Sequence, residues 1–365
     1  MRIALAGGGT TGHISPMLAT AEALRRLDPH GELICVGTPI GLETAVVPAA
    51  GFELRLVDPI PLPRTLTPKL LSLPVRIIKS VRQARSVLRG FRPDAVVGFG
   101  GYASLPVYLA ARSLRIPVVI HEANAVAGMA NRIAARFAAA VCVTFAATNL
   151  PRQVVTGMPV RAAVAGLDLG VLRSPARQGF GLSDQAKVLL VTGGSQGARS
   201  INQALSAALP SLAAAQVAVL HITGKGNFAD PVEVPEAMKY IRLPYVDNMA
   251  EAYAAADLIL ARSGAATVVE TALVGLPAIF VPLPHGNGEQ ARNATGLVEA
   301  GAARLIADAD LTWQRLAQEV IELLDDDATR QAMAAAAHGA TPRDAADQVA
   351  GYALRLSTPG GPACP

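Results

Sequence analysis

Apolar residues follow two alternating patterns along this chain. Short runs rich in Val, Ile and Leu, typical of buried strands, alternate with longer Ala- and Leu-rich stretches of helical periodicity. In the first half the pattern predicts strands at Ile3–Ala6, Leu33–Val36, Leu54–Val57, Ala95–Val97 and Val118–His121, with helices up to Leu27, around Pro74–Leu88 and near Tyr102–Leu114. Such an alternation predicts parallel sheets with helices on both faces.

The alternation weakens once, between Pro159 and Leu182, where Pro, Gly and Arg accumulate without periodicity. It restarts with a strand at Val188–Val191, a glycine turn and a helix up to Leu209. Further strands are predicted at Val217–Ile222, Leu258–Leu260 and Ala278–Val281. We therefore predict an α/β protein of two doubly wound domains that join near residue 160, and a disordered tail from Thr358 onward.

Length and composition agree with two packed domains and exclude several classes of protein. The chain has 365 residues, of which 51% are hydrophobic and 16% charged, which excludes a disordered or fibrous protein. The longest uncharged runs, Ala95–Ala111 and Thr271–Gly288, are broken by Gly, Pro and polar residues, so no membrane span is predicted. The opening apolar run stops at Gly7 and is too short for a signal peptide.

Cysteines and charge point to an ordinary cytoplasmic protein. Cys35, Cys142 and Cys364 form no CxxC pair, so neither a disulfide framework nor a zinc site is expected. The formal net charge is +4, and aromatic residues, at 4%, do not cluster among basic ones. Nucleic acid is therefore not an expected partner.

Each predicted domain opens with a glycine turn between a strand and a helix. Gly7–Gly12 satisfies GxGxxG, but the end of the second strand reads Val36-Gly37-Thr38 and offers no acid for a ribose, which argues against a dinucleotide. Gly193–Gly197 is a second glycine turn at which the backbone could approach a phosphate, with the Ser195 hydroxyl as a further donor. Two such turns favour a ligand shared by the two halves.

A third segment, Arg262–Glu270, follows an apolar strand and begins a helix. Its first amides could hold phosphates, and Thr267 and Glu270 share one helical face. A carboxylate one turn into such a helix suits a sugar diol, but Glu270 could equally complement the helix dipole. The residues alone leave both interpretations open.

Taken together, the motifs resemble the MurG family of peptidoglycan N-acetylglucosaminyltransferases, and the resemblance covers nearly the whole chain. The six motifs that carry it, in family order, are Gly8–Pro16, Gly98–Ser104, His121–Asn124, Gly193–Ala198, Arg262–Glu270 and Pro282–Ala294. The resemblance implies the GT-B fold, two Rossmann-like domains facing across a cleft. These would be residues 1–160, with a C-terminal helix 342–357 that crosses back, and residues 161–341.

The family's activity implies UDP-N-acetylglucosamine (UDP-GlcNAc) as donor, lipid I as acceptor, lipid II as product, and neither a cofactor nor a metal. Carried over residue by residue, the resemblance gives donor-site candidates in both domains. These are Thr10, Thr11, Gly12, Asn124, Arg161, Ser195, Val246, Ala265, Ala266, Thr267, Val268, Val269, Glu270 and Gln290. The chain departs from the family pattern at Thr11, a common glycine, at Ala123, often Gln, and at Glu289, often a second Gln.

The implied reaction inverts the configuration at C1 of GlcNAc and needs a base for the acceptor C4 hydroxyl. His13 follows the first glycine turn and has a pKa suited to neutral pH, although it could merely orient the loop. Glu122 is the alternative, unless it is a structural carboxylate. Asp308-Ala309-Asp310 spells the DxD of metal-dependent transferases, but its position before a helix favours N-capping.

Basic residues are concentrated between Pro59 and Pro93, where no Asp or Glu lies between Ile60 and Arg92. They are Arg64, Lys69, Arg76, Lys79, Arg82, Arg85, Arg89 and Arg92, interleaved with Leu, Ile and Val. Stretch 64–92 therefore predicts peripheral docking at the cytoplasmic face of an anionic membrane, or else a core-packed helix with a solvated basic face.

Three other functions remain open at this point. They are a related transferase with a diacylglycerol acceptor, a UDP-sugar epimerase on a similar fold, and a non-catalytic subunit that binds nucleotide sugars. The presence of both His13 and Glu270 in one chain argues against the last.

Overall fold

The structure is a computed structural model that describes residues 1–60, 73–194, 196–224, 226–228, 232–285 and 287–357. It divides into two compact units. The first comprises Met1–Arg161 together with the C-terminal segment from Asp344, and the second comprises Ala162–Arg343.

The first unit is built on a seven-stranded sheet in the order β3-β2-β1-β4-β5-β6-β7, in which every pairing is parallel. Its strands are β1 (Arg2–Ala6), β2 (Glu32–Gly37), β3 (Glu53–Leu56), β4 (Ala95–Gly98), β5 (Val118–Glu122), β6 (Ala140–Val143) and β7 (Gln153–Val155). Its helices are α1 (Thr11–Leu27), α2 (Glu43–Ala49), α3 (Leu73–Phe91), α4 (Ser104–Ser113), α5 (Met129–Ala134) and, from the C-terminal segment, α14 (Ala345–Ser357).

Helices cover both faces of this sheet because alternate strand residues point to opposite sides. Ala4 and Ala6 of β1 face α3, α4 and α5, where Leu88 is among the buried residues. Ile3 and Leu5 face α1 and α14, whose Val349 is fully buried. Helix α14 is therefore part of the core of the first unit.

The second unit has a six-stranded parallel sheet in the order β10-β9-β8-β11-β12-β13. Its strands are β8 (Lys187–Thr192), β9 (Val217–Ile222), β10 (Tyr240–Leu243), β11 (Leu258–Ala261), β12 (Ala278–Phe280) and β13 (Ala303–Leu305). Its helices are α6 (Ala162–Ala165), α7 (Leu169–Gly179), α8 (Arg199–Ala214), α9 (Met249–Ala255), α10 (Ala265–Val274), α11 (Glu289–Glu299), α12 (Trp313–Asp325) and α13 (Asp327–His338).

Both sheets reverse their strand order at the strand that opens the unit. The reversal lies between β1 and β4 in the first unit and between β8 and β11 in the second. Ligands of open α/β sheets bind outside the carboxyl ends of the strands at such a reversal. The two glycine turns that the sequence singled out follow β1 and β8, so each lies at this position of its own unit.

The predicted α/β class with two doubly wound parallel sheets is confirmed. Sequence reasoning missed α7, because Pro175 lies inside the helix and its buried Arg177 breaks the apolar pattern. Arg177 is buried because it forms an ion pair with Asp257 at 2.7 Å, a partner distant in sequence. Among the described residues, no helix combines the length and apolarity that crossing a membrane requires. The tail from Thr358, predicted to be disordered, lies outside the described residues.

Candidate functional site

The first glycine turn carries His13 at the carboxyl end of β1. Helix α1 begins at Thr11, so His13 lies in its first turn, with exposed Thr10 and Thr11 on either side of the helix start and Gly12 half-buried. The Oγ1 atom of Thr10 lies 3.1 Å from Nδ1 of His13. The turn therefore holds the imidazole beside two exposed hydroxyl groups.

A second glycine pair, after β4, supplies the surface against which the imidazole packs. Gly100 and Gly101 both have φ of +83°, a conformation that favours glycine. A Cβ at Gly100 would lie 3.3 Å from Cδ2 of His13, and one at Gly101 would overlap the carbonyl oxygen of Gly8. Any side chain here would displace the histidine or the first turn, so the two glycine turns form one unit around His13.

The environment of His13 keeps its ring neutral at physiological pH. Burial lowers the pKa of the half-buried imidazole below its ordinary value, while a hydrogen bond to the Gly8 carbonyl and the negative charge of Glu43 offset part of this effect. A neutral imidazole has one donor and one acceptor nitrogen. The group can therefore accept a proton, as a general base must.

Glu43, which sequence reasoning missed, binds the first glycine turn through its side-chain carboxylate. Its carboxylate is fully buried and accepts hydrogen bonds from the amide of Gly9 at 3.0 Å and from the amide and hydroxyl of Thr38 at 2.8 and 2.7 Å. The Gly9 amide, one of those a dinucleotide diphosphate would use, is thus bound within the protein. The local sequence gives no signal of this, because the contact spans 34 residues.

Glu122, the alternative base, lies at the end of β5 and is 3% exposed. Its two oxygens accept hydrogen bonds from the amides of Asn124 and Gly128, each at 3.0 Å, and from the Asn131 side chain at 2.9 Å. Burial raises the pKa of Glu122 despite these bonds. The arrangement favours holding the 124–128 loop, and with it half-buried Asn124, over proton transfer to a substrate.

A buried polar network connects this loop with the second glycine pair. The hydroxyl of Tyr108 donates to Oδ1 of Asn131 at 2.8 Å and accepts from the amide of Gly100 at 3.3 Å. Asn131 in turn donates to Glu122 and to the carbonyl of His121. The three loops after β1, β4 and β5 are therefore held in one fixed arrangement.

In the second unit, the glycine turn after β8 packs against the turn after β9. Gly197 (φ +74°) and Gly224 (φ +89°) meet back to back, because a Cβ on either would overlap the backbone of the other turn. At Gly194 (φ +82°) a Cβ would meet no atom of the described residues within 4 Å, so among these residues this part of the turn is open. Ser195, predicted to contact the diphosphate, lies outside the described residues.

Helix α10 presents one open face at its N-terminus. Gly264 is the N-cap, and among the described residues no side chain is bonded to the first amides of the helix. Ala266, Thr267 and Glu270 are half-exposed, whereas Ala265 is 7% exposed. Val268 and Val269 are 1% and 2% exposed, so these two predicted contacts could be made only through the main chain.

A buried tyrosine orients Glu270. The hydroxyl of Tyr253, on α9, donates to Oε2 of Glu270 at 2.7 Å, and Tyr253 is itself 1% exposed. Burial together with the charge of Glu270 raises the pKa of this phenol well above its ordinary value, so it remains a donor. Sequence reasoning missed Tyr253, whose pattern is that of an ordinary core residue.

Three further candidates lie on loops or at helix starts. Val246 is half-buried in the loop after β10, and Arg161 is exposed at the end of the first unit. Gln290, in the first turn of α11, accepts from the amide of Leu283 at 2.9 Å and so fixes the loop before the helix. Asn293 of the same motif donates to the carbonyl of Ser263, beside the start of α10, at 3.2 Å.

The first residue of the DxD triplet, Asp308, forms an ion pair with Arg262. Asp308 accepts hydrogen bonds from Arg262 at 2.5 Å and from Ser200 at 2.7 Å. Capping of the following helix α12 falls to Thr312, so the predicted N-capping role of the triplet is wrong. No group of three or more His, Cys, Asp or Glu side chains suited to a metal occurs among the described residues.

The described part of the basic stretch is the amphipathic helix α3. Ser80, Ala84 and Leu88 form its buried stripe, while Val75 and Ile78 are 70% and 52% exposed. The basic residues on its exposed surface are Arg76, Lys79, Arg82 and Arg89, followed by Arg92. Arg64 and Lys69 lie outside the described residues.

The chain matches two family descriptions that together span most of its length. Residues 3–143 match the glycosyltransferase family 28 N-terminal domain, and residues 188–349 match the glycosyltransferase family 28 C-terminal domain. The first match lies within the first unit, and the second covers most of the second unit and the first residues of α14.

Similar curated proteins carry one activity in their names. Those of Nocardioides sp. (51% identity, 98% of each chain) and Mycolicibacterium smegmatis (51% identity, 97% of this chain and 94% of the other) are named UDP-N-acetylglucosamine–N-acetylmuramyl-(pentapeptide) pyrophosphoryl-undecaprenol N-acetylglucosamine transferase. Among solved structures, MurG of Acinetobacter baumannii is 31% identical with a TM-score of 0.76, over 97% of this chain and 99% of the other.

Proposed function

The chain belongs to glycosyltransferase family 28, and we infer on that premise that it is the inverting enzyme that transfers GlcNAc from UDP-GlcNAc to lipid I. Its fold is GT-B, and the reaction forms lipid II for peptidoglycan synthesis. The observation that carries this function is the match over both units to relatives of that name at 51% identity.

We propose that His13 is the base of the reaction. The acceptor C4 hydroxyl must lose a proton as it attacks C1 of GlcNAc, and a neutral imidazole at the reversal of the first sheet is suited to take it. The carboxylate of Glu122 is bound by three donors, and its geometry therefore favours His13.

The second unit is suited to the donor. The unoccupied amides and the dipole at the start of α10 would stabilise the charge that develops on the departing UDP. Glu270, oriented by Tyr253, would accept hydrogen bonds from the ribose hydroxyls. Ser195, Val246 and Gln290 complete the proposed donor contacts of this unit, and Thr10–Gly12, Asn124 and Arg161 are those proposed for the first.

The transferase is tested by following labelled GlcNAc from UDP-GlcNAc with and without a short-chain lipid I analogue. Acceptor-dependent product and released UDP are expected, whereas donor conversion without acceptor would indicate an epimerase. Transfer to diacylglycerol instead of the analogue would overturn the acceptor assignment. His13→Ala should lower kcat by about 10²-fold or more, since general bases contribute 10²–10⁴-fold. His30→Ala, at an exposed histidine of the same unit, is the matched control.

We further propose that α3 docks the enzyme at the cytoplasmic face of the membrane, which would hold the lipid acceptor. Two exposed apolar side chains, Val75 and Ile78, lie on the basic surface of this helix. Helices α4 and α5, on the same face of the sheet, add exposed basic residues. From 73 to 138 the acids are Glu122, which is buried, and Asp94, which accepts from the amide of Arg2.

Vesicle binding tests this docking. The double variant V75D/I78D should weaken binding to anionic phosphatidylglycerol vesicles by about tenfold or more, since it removes apolar area and adds like charge. The double variant V171D/L172D provides a matched control, because Val171 and Leu172 are 68% and 41% exposed on α7 of the second unit. Equal loss in both proteins, or binding that 0.5 M salt leaves unchanged, would refute docking through this basic face.

A further inference from the structure

The structure assigns to Glu43 the role of a positioning residue that acts on His13 through the peptide bond between Gly8 and Gly9. This inference rests on the proposed function, in which His13 is the base. The relay runs from the Glu43 carboxylate to the Gly9 amide, and from the Gly8 carbonyl of the same peptide unit to the His13 imidazole.

The first link is a carboxylate buried in a cradle of glycines. A Cβ at Gly8 or Gly41 would overlap an oxygen of Glu43, and one at Gly37 would lie 2.6 Å from its Cγ. The close backbone approach that these glycines permit thus serves an internal carboxylate. Only glycine at these three positions allows the carboxylate to reach the Gly9 amide.

Glu43 is ionised at neutral pH. Burial alone would raise the pKa of its carboxyl group, but the hydrogen bonds from Gly9 and Thr38 outweigh burial and hold the pKa below its usual value. Three donors on two oxygens are geometrically matched to a carboxylate that only accepts. The buried charge is therefore a fixed feature of the loop.

The second link is the peptide unit itself. A carboxylate that accepts a hydrogen bond from a peptide N–H polarises that peptide unit. The carbonyl oxygen of the same unit, here that of Gly8, becomes a stronger acceptor. The Gly8 carbonyl oxygen lies on the Nδ1 side of the His13 ring, since a Cβ at Gly101 would lie 2.3 Å from that oxygen and 3.2 Å from Nδ1, and a hydrogen bond between them raises the imidazole pKa. Nδ1, which also lies 3.1 Å from Oγ1 of Thr10, is therefore the nitrogen to which we assign the proton of the neutral ring. The other ring nitrogen then carries the lone pair that takes the acceptor proton.

Charge provides a second effect in the same direction. The titratable groups on the elements packed around His13 are Glu43 from α2, Tyr102 and Tyr108 near and on α4, and His121 and Glu122 from β5. Burial lowers the pKa of His121 to about 4, so this ring is neutral. Of these, Glu43 supplies the charge that acts on the imidazole and raises its pKa against burial. Without this charge, the imidazole would be a weaker base.

The experiment measures the pH dependence of transfer together with the His13 pKa. Glu43→Gln keeps the size of the side chain and removes its charge. It should lower kcat about tenfold while KM for UDP-GlcNAc stays the same, since the charge tunes only part of the 10²–10⁴-fold that a base supplies. The acidic limb of the pH profile should move down by at least about half a pH unit. The Cε1–H resonance of His13, assigned by its loss in His13→Ala, should titrate at a correspondingly lower pH.

Two further variants separate positioning from general destabilisation. Thr38→Val removes the 2.7 Å hydroxyl bond to Glu43 but leaves the charge and the Gly9 bond, so the acidic limb should not move. Glu43→Asp keeps the charge on a shorter side chain. The pH of its acidic limb and its His13 pKa should lie between those of the wild type and those of Glu43→Gln. If Glu43→Gln does not fold, Glu43→Asp decides: a lowered imidazole pKa supports the relay.

A folded Glu43→Gln protein with the wild-type acidic limb and wild-type His13 pKa would overturn the relay. So would a Thr38→Val protein that shifts as far as Glu43→Gln. Because the NMR titration needs no turnover, a wild-type protein without transferase activity would refute the proposed function and leave this test intact.

Discussion

Acid should destabilise the second unit through one buried histidine, His221 of β9. The ring is 1% exposed and bonded at both nitrogens, with Nδ1 2.7 Å from the Tyr240 hydroxyl and Nε2 3.1 Å from Oδ1 of Asn202. Because the Asn202 amide donates to the Thr223 carbonyl, its Oδ1 is an acceptor and Nε2 carries the proton. Nδ1 then accepts from Tyr240, and an added proton would reverse that bond and leave a charged ring buried beside Arg242.

The magnitude follows from the shift in pKa between the folded and unfolded states. Burial, helped by the charge of Arg242, lowers the pKa of His221 from 6.5 to about 4. A lowered folded-state pKa means that the unfolded chain binds the proton more tightly, so the stabilisation is complete above pH 6.5 and is lost as the pH falls towards 4. Linkage gives a loss of about 2 kcal/mol between pH 7.5 and 5, and about 3 kcal/mol by pH 4.

Tryptophan fluorescence reports this unit alone, because the only tryptophan of the chain, Trp313, lies on α12. Urea unfolding of the wild type and of His221→Gln, followed at pH 7.5 and pH 5, isolates the contribution of the histidine from that of the carboxylates. The variant should be less stable at pH 7.5, and the difference should shrink by about 2 kcal/mol at pH 5. Parallel losses of stability in the two proteins would refute the reasoning.

Three other substitutions probe the proposed donor unit. Tyr253→Phe removes the 2.7 Å bond that orients Glu270 and should raise KM for UDP-GlcNAc about fivefold with little change in kcat, the cost of roughly one hydrogen bond; an unchanged KM would count against the orienting role. Gly197→Ala should destabilise by at least about 2 kcal/mol more than Gly194→Ala in thermal unfolding, because both have positive φ but only at 197 does a Cβ overlap the neighbouring turn. Asp308→Asn should cost about 2 kcal/mol in the same assay, since it leaves a buried guanidinium without its charged partner, and a neutral result would contradict the structural role of that pair.

The sequence by itself determined the architecture of each unit. Short strand-like apolar runs alternate along the chain with segments of helical periodicity. Few architectures other than a parallel sheet with helices on both faces accommodate this alternation. The positive-φ turns after β1 and β8 could also be located, because glycine after an apolar strand and before a helix is a local signal. His13 was identified as a candidate in this way, one residue after Gly12, and Glu270 lies in the second turn of the helix that follows Gly264.

Other features were decided only by the tertiary structure. Glu43 reaches Gly9 across 34 residues, and Arg262 reaches Asp308 across 46, because strand order brings together the ends of strands that are distant in the chain. Hydrophobic periodicity states which face of an element is buried, but not which strand becomes its neighbour. The sequence thus identified the groups proposed to carry the chemistry, whereas the sheet topology decided which buried partners hold them, because those contacts form only between segments that folding brings together.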